Sequence, residues 1–415
     1  MNAAQNVGSI ETRTSWVLAG VAVAILSVTY GSPLVVVVAM KAIAADLGAP
    51  REVPALAAAM SWFGAGLGAI FMGWVADRIG VRWTVLTGAV MICVGMAVSS
   101  IGTSWALYLG QGVFVGLLGN AGLFAPLLIY VSRWFDRRRG TALALISSGQ
   151  YIAGMIWPTL FEIGNARFGW QTTAIAYGIL VAMLVVPVAL IMLRAPPGVE
   201  SAAVAAAGPQ IGARVLGMHP NLAMVLLGIA SFLCCVPMAL PQGHLVAFCS
   251  DLGLTRGASM LSVMLAAAFI ARQFWGMLSD RVGGLYTVLA GSACQALAMV
   301  AFMSTQDEVG LFAVTAAYGF GFSGIIPAYV LAVRQLFPAT EAGWRVPCVL
   351  FFGMGGMAFG GWFAGVLYDR FASYMPAFGA GLIFNVINLL LVGFLLLRWR
   401  RRRWTAFGTE PLTAS

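Results

Sequence analysis

Apolar residues run along this chain in long blocks, with polar residues punctuating them at intervals. The blocks lack the period-two alternation of a barrel strand, and each is about as long as the roughly 20 residues a helix needs to cross a hydrocarbon core. They predict twelve membrane-crossing helices, at about 16–40, 53–76, 83–100, 105–131, 141–163, 170–193, 220–247, 257–279, 284–304, 310–333, 346–367 and 375–397. Connections are short except at 194–218, where Pro196-Pro197-Gly198 and an Ala-rich tract read as a linker. Backbone polar groups in lipid must be satisfied within the segment, so helices are the expected solution. Span one carries Tyr30-Gly31-Ser32-Pro33, which should loosen or kink it. Span two (Gly64, Gly66, Gly68) and span four (Gly116, Gly119, Asn120, Gly122) are rich in small residues that let helices approach closely. Span five holds Ser147, Ser148, Gly149, Gln150, Tyr151, Gly154 and Pro158, small and polar residues that suit a face lining a cavity.

One stretch occurs twice. Gly73-Trp74-Val75-Ala76-Asp77-Arg78-Ile79-Gly80 is echoed by Gly276-Met277-Leu278-Ser279-Asp280-Arg281-Val282-Gly283, 203 residues further on (276 − 73). Gly140 and Gly343, and Phe168 and Phe371, keep the same offset. A shared offset over much of the chain means two related halves. The expected fold class is therefore an all-α membrane protein of twelve transmembrane helices in two pseudo-twofold-related six-helix bundles. They occupy 1–193 and 219–397, with a cytoplasmic linker at 194–218 and a cytoplasmic basic tail at 398–415. Function is expected where the halves meet.

Composition agrees. The chain is 61% hydrophobic and 9% charged, against about 25% charged residues in soluble domains. A net charge of +9 could suggest nucleic acid, but the distribution favours the bilayer. If the spans alternate, 17 of the 23 basic residues fall on one side; Lys41, Arg51, Arg167, Arg256 and Arg370 fall on the other. Basic loops mark the cytoplasmic face, so both termini are expected there, in an inner membrane of the bacterial type. The first apolar run is full-length and reads as a span rather than a cleaved signal peptide. The six cysteines (93, 234, 235, 249, 294 and 348) lie mostly within apolar runs, without metal-ligand or disulfide spacing.

The remaining basic residue, Arg272, is inside span eight. It lies eight residues before Asp280, ~12 Å from the cytoplasmic end. An intramembrane arginine costs about 2.5–3.5 kcal/mol on insertion scales and is a functional candidate by default. The spans offer it no obvious acidic partner, so substrate binding is favoured over snorkelling or a carbonyl contact. In the duplicated motif, each aspartate can bond the exposed amides of a neighbouring helix N-terminus, and each arginine can pair with acids or phospholipid. Contacts that hold in one conformation and break in another make a gate. Its candidates are Gly73, Asp77, Arg78, Gly80, Arg82, Arg137, Gly276, Asp280 and Arg281, with the glycines allowing close packing. Tyr30, Asn120, Gln150, Tyr151 and Ser323 are candidate cavity residues beside Arg272. Trp157 and Tyr318 belong with them more weakly, aromatic side chains in spans being more often packing. His244 reads as a hydrogen-bonded interfacial histidine and Lys41 as a snorkelling residue. No nucleotide-binding P-loop, metal cluster or nucleophile–base pair is present, so energy would come from gradients.

The two Asp-Arg motifs resemble the signature of the major facilitator superfamily of secondary transporters. Gly73, Asp77, Arg78, Gly80 and Arg82 match between spans two and three, and Gly276, Asp280, Arg281 and Gly283 match the echo between spans eight and nine. The resemblance covers essentially the whole chain and implies two six-helix bundles, a central cavity and alternating access. A narrower resemblance rests on Trp134-Phe135-Asp136-Arg137-Arg138-Arg139, Ala142 and Gly149, and on Ala271-Arg272-Gln273 with Gly276. These are similar to stretches of the monocarboxylate transporters and the bacterial oxalate:formate antiporter, in which Arg272 matches a substrate-binding arginine. The chain departs from those families at three charges. An acid one turn before that arginine is Ala268 here, a span-one lysine falls at Leu34, and a span-eleven lysine falls near Gly353.

The function expected is transport of a small organic anion, a monocarboxylate before others, by a non-enzymatic carrier without cofactor or metal. Its partners would be the substrate and the lipid bilayer, with no nucleic acid, and it would work as a monomer. Efflux of an apolar drug or metabolite is the alternative within transport. A non-transporting membrane sensor is the alternative from another class.

Overall fold

The computed structural model describes residues 11–135, 138–193 and 215–407, with positions 77, 139, 140, 144, 339, 340, 342, 343 and 401–407 described by the backbone alone. Apart from one bridge between Val215 and Met218, regular structure among the described residues is helical. The chain divides into two compact units, Met1–Ala202 and Ala203–Ser415. The expected linker lies outside the described residues as far as 214.

In the first unit the membrane-length helices are Arg13–Val38, Glu52–Ala76, Val81–Ser99, Ser104–Ser132 and Trp170–Met192. In the second they are Pro220–Asp251, Gly257–Val282, Gly284–Ser304, Glu308–Leu336, Trp344–Phe371 and Met375–Arg400. These eleven are long and apolar enough to cross a membrane. The twelfth, span five, is built from Arg139–Ser147 and Gly149–Phe168. It is interrupted at Ser148 and carries Gln150, Glu162, Asn165 and Arg167, so it is less apolar than the others. Each unit is thus a six-helix bundle. The helix of the last span continues into the basic tail. The last helix runs on through Phe407, because Arg398 and Arg400 to Arg403 are good helix formers with no Gly or Pro among them to stop it. Residues 408–415 lie outside the described residues.

Close backbone approach holds each bundle together. A methyl group on Gly64 would sit 2.4 Å from the Gly112 carbonyl oxygen, and one on Gly68 2.2 Å from that of Leu117. Spans two and four therefore meet backbone to backbone, as the small residues predict. Span four is π-helical over Leu109–Asn120. The repeat reappears in this packing. A Cβ on Gly116 would fall 2.6 Å from the Ser61 carbonyl oxygen, and one on Gly319 2.0 Å from that of Met264. Both members of the second pair are displaced by the same 203 residues as the Asp-Arg motif. Spans two and four, and spans eight and ten, thus use corresponding glycines for corresponding contacts.

Candidate membrane-embedded site

Span one breaks where the sequence predicts. Its first segment ends at Thr29 and a second runs Ser32–Val38. Pro33 has no N–H for the Thr29 carbonyl, so an orphan acceptor is left inside the bundle. Two neighbouring helices supply donors. The Tyr177 hydroxyl donates to the carbonyls of Val28 (2.6 Å) and Thr29 (3.1 Å). The Trp157 indole N–H donates to Ser27 (2.8 Å). Gly31 is required beneath them, because a Cβ there would fall 2.7 Å from the Trp157 ring and 2.9 Å from the Tyr177 oxygen. On another side of the break, the Ser32 hydroxyl donates to Asn120 Oδ1 (3.3 Å), and the Tyr30 ring packs on Phe124 at 5.7 Å. Tyr30 and Asn120 thus lie on two neighbouring segments that meet through Ser32 and Phe124. Asn120 is buried and Tyr30 half-buried. Gln150 is half-buried and Tyr151 nearly buried, on the helix whose Gly149 packs against Leu26.

The second unit uses the same chemistry. Span seven contains Pro237 and Pro241. Pro241 cannot donate to the Pro237 carbonyl, and the Tyr318 hydroxyl does so instead at 2.8 Å. Span ten breaks at Ser323 and Gly324 between the segments Glu308–Phe322 and Ile325–Leu336. There the Trp275 indole donates to the Phe320 carbonyl at 2.6 Å, and a Cβ at Gly324 would meet Trp275 at 2.3 Å. Trp275 is three residues from Arg272, hence on the same helical face. Ser323 is buried and bonds the Phe320 carbonyl (3.3 Å). The break of span ten thus packs on span eight one turn from Arg272. Arg272 is half-buried and engaged in an interaction. Its candidacy rests on its depth and chemistry, not on isolation.

At the duplicated motif, the last glycine of each copy makes the turn. Gly80 has φ +88° and Gly283 φ +90°. Each ends one helix and starts the next in the region that side chains other than glycine rarely adopt. The first glycines do not supply the close packing expected of them: a methyl on Gly73 or Gly276 would meet nothing within 4 Å. Arg78 is exposed and stacks on Trp74 at 4.0 Å. Asp77 lies in the last turn of its helix. Arg82, Asp280 and Arg281 are exposed. Arg137 lies outside the described residues.

Sequence reasoning missed two arrangements. A buried polar network joins Gln295 to Tyr318 (3.2 Å), Asn385 to Gln295 (3.2 Å), Asn388 to the Ser292 hydroxyl (2.9 Å) and Tyr329 to Asn388 (3.1 Å). Cys234 joins it through Ser292 at 3.6 Å, a role beyond packing. The signal was there: polar pairs three residues apart in spans nine and twelve share a helical face. The second is Arg345, which is buried and bonds Glu341 (2.9 Å) and Asn221 (3.1 Å). His244 is buried, with Nδ1 at 3.1 Å from the Tyr374 hydroxyl and Nε2 at 2.7 Å from the Gly361 carbonyl. It is thus a hydrogen-bonded histidine, as expected. Lys41, half-buried in the helix Met40–Asp46, is also engaged.

A family model described as Major Facilitator Superfamily matches residues 17–344. The chain belongs to the Major Facilitator Superfamily. It is an integral, multi-pass membrane protein. It is 27% identical over 278 residues to the MFS-type transporter pynF of Aspergillus niger, covering 66% of this chain and 62% of that protein. It is 29% identical over 275 residues to monocarboxylate transporter 13 of Bos taurus, covering 63% of this chain and 61% of that protein. The chain spans a little over three fifths of the length of these curated relatives. Among solved structures, a bacterial homologue of the human lysosomal transporter Spinster superposes with a TM-score of 0.74 at 14% identity. That match covers 94% of this chain and 98% of the other, a likeness of fold.

Proposed function

We propose that the chain is a secondary carrier for a small organic anion, a monocarboxylate before others, and that Arg272 binds the carboxylate. The observation that carries this reading is a half-buried arginine in the interior of span eight, eight residues from the end-of-helix Asp280. A guanidinium offers a planar fork of donors that fits a carboxylate with two parallel hydrogen bonds. A charge kept at that depth, against the insertion cost, is a functional candidate by default. The similarity to monocarboxylate transporter 13 supports the substrate class. So does Gly353, where the resembling oxalate carrier would place a second cation. A side chain there would begin 2.8 Å from the Ser231 hydroxyl and 3.3 Å from Cys235. One cation suits one carboxylate. Tyr30, Asn120, Gln150, Tyr151 and Ser323 are the proposed neutral contacts. We place both termini on the cytoplasmic side, by the weight of arginine in the loops. The two Asp-Arg motifs are the proposed gate, and the monomer is the proposed working unit.

The test is counterflow of labelled lactate, pyruvate, formate and oxalate in proteoliposomes. Arg272→Ala should abolish organic-anion exchange, because a desolvated carboxylate would lack its partner. Arg272→Lys keeps the charge but loses the fork, so it should bind more weakly and keep some exchange. The alanine variant should insert at least as well as the parent, since the charged side chain is gone. An alanine variant that exchanges the anion at the parent rate ends the carboxylate reading and favours efflux of an apolar compound. One that fails to accumulate marks a structural arginine.

A further inference from the structure

Between spans five and six, within the first unit, lies a groove of about 210 Å³. Trp157, Leu160, Phe161, Phe168, Ala176 and Tyr177 line it. Its wall is aromatic and aliphatic, with Thr172 and Thr173 near the Phe168 end. The groove opens beside Leu160, Leu180 and Phe168, which are exposed, and continues the exposed apolar surface of Ile156, Ile163 and Ile179 on the same two helices. Exposed apolar surface along a membrane span is suited to contact with hydrocarbon.

The dimensions select an occupant. Phe168 is the last residue of its helix, and Trp157 lies eleven residues before it. At 1.5 Å per residue the groove runs ~16 Å along the helix. Half of a hydrocarbon core about 30 Å thick is ~15 Å. The groove is therefore about as long as one leaflet of the hydrocarbon core is thick. Its polar threonines are at the end where an ester linkage would lie.

We propose that this groove holds one acyl chain of a bilayer phospholipid from the leaflet on the side of Phe168. The terminal methylenes then pack against Trp157 and Tyr177, whose rings meet edge to face at 4.8 Å. Those two side chains also hold the orphan carbonyls of span one. The acyl chain is the outer backing of that clamp, and the lipid joins the support of the span-one break. This assignment does not depend on the substrate, so its failure would leave the carboxylate reading standing.

The test places the full chain in phosphatidylcholine vesicles whose acyl chains are brominated near their ends, bromine being a contact quencher of indole fluorescence. The Trp157 contribution is the difference between the parent and Trp157→Phe. It should be strongly quenched. Ala176 is exposed and lines the groove, so Ala176→Phe should fill it and remove most of that quenching. Ile179→Phe, on the exposed surface outside the groove, should leave the quenching unchanged. An unquenched Trp157, equal quenching in Ala176→Phe, or an equal loss in Ile179→Phe would each overturn the proposal.

Discussion

A tyrosine hydroxyl stands opposite a proline-orphaned carbonyl in both halves of the chain. Tyr177 serves Thr29 four residues before Pro33, and Tyr318 serves Pro237 four residues before Pro241. A kink of this kind is tolerated in lipid only if the freed backbone group finds a partner. The side chains that satisfy it therefore set where the kink can be. Removing the donor leaves a buried acceptor unsatisfied, which costs about 1–3 kcal/mol in general, and measured hydrogen bonds in membrane proteins average about 0.6 kcal/mol. Tyr177→Phe and Tyr318→Phe should each destabilise the folded protein by about 1 kcal/mol. Thermal unfolding in detergent measures this, and unchanged midpoints in both variants would show that the carbonyls find other donors. These partners were not legible in the sequence. Tyr30-Gly31-Ser32-Pro33 announces a break, but nothing in the chain order says that residues 157 and 177 will close over it. The depth of Arg272 was legible, because it needs only a count of residues from the end of a helix.

At the scale of helices, the apolar blocks gave most boundaries to within a few residues, because span length is set by the bilayer. The Asp-Arg motif was legible as a repeat, yet its parts divide differently from the expectation. The final glycines carry the turn, and the first glycines sit in open space. Small-residue packing instead operates deeper, at the equal-offset pairs Gly116–Ser61 and Gly319–Met264. The proposed gating role of the aspartates is a separate matter, and removing their charge tests it. A hydrogen bond to a charged group is worth about 1.5–3 kcal/mol, and ~1.4 kcal/mol changes a two-state ratio tenfold. Asp77→Asn and Asp280→Asn preserve shape and remove charge. Each should slow transport several-fold to about a hundredfold while protein level and substrate binding are largely kept. Unchanged transport rates in both variants would remove the gating role.

For the whole molecule, the doubled architecture carries a topological prediction. An even number of crossings separates Asp77 from Asp280, so both should lie on the same side of the membrane, with the arginine-rich loops. Single cysteines placed beside each, labelled by an impermeant reagent from one side at a time, should react from that common side. Reaction from opposite faces would break the repeat reading.

Span five has a consequence for how the protein is made. Among the described residues eleven helices are long and apolar enough to cross a membrane, whereas span five, built from Arg139–Ser147 and Gly149–Phe168, is interrupted at Ser148 and includes Glu162, Asn165 and Arg167. Such a segment emerging from the ribosome gains little by entering the bilayer alone. Its seat is against Leu26 of span one on one side and Tyr177 of span six on the other. Span six follows it in synthesis, so lasting insertion of span five waits on a helix not yet made. A chain truncated after Phe168 and fused to a compartment-sensitive reporter should show mixed orientation, and one truncated after Met192 a single orientation. If both fusions report one orientation, span five enters without its neighbour.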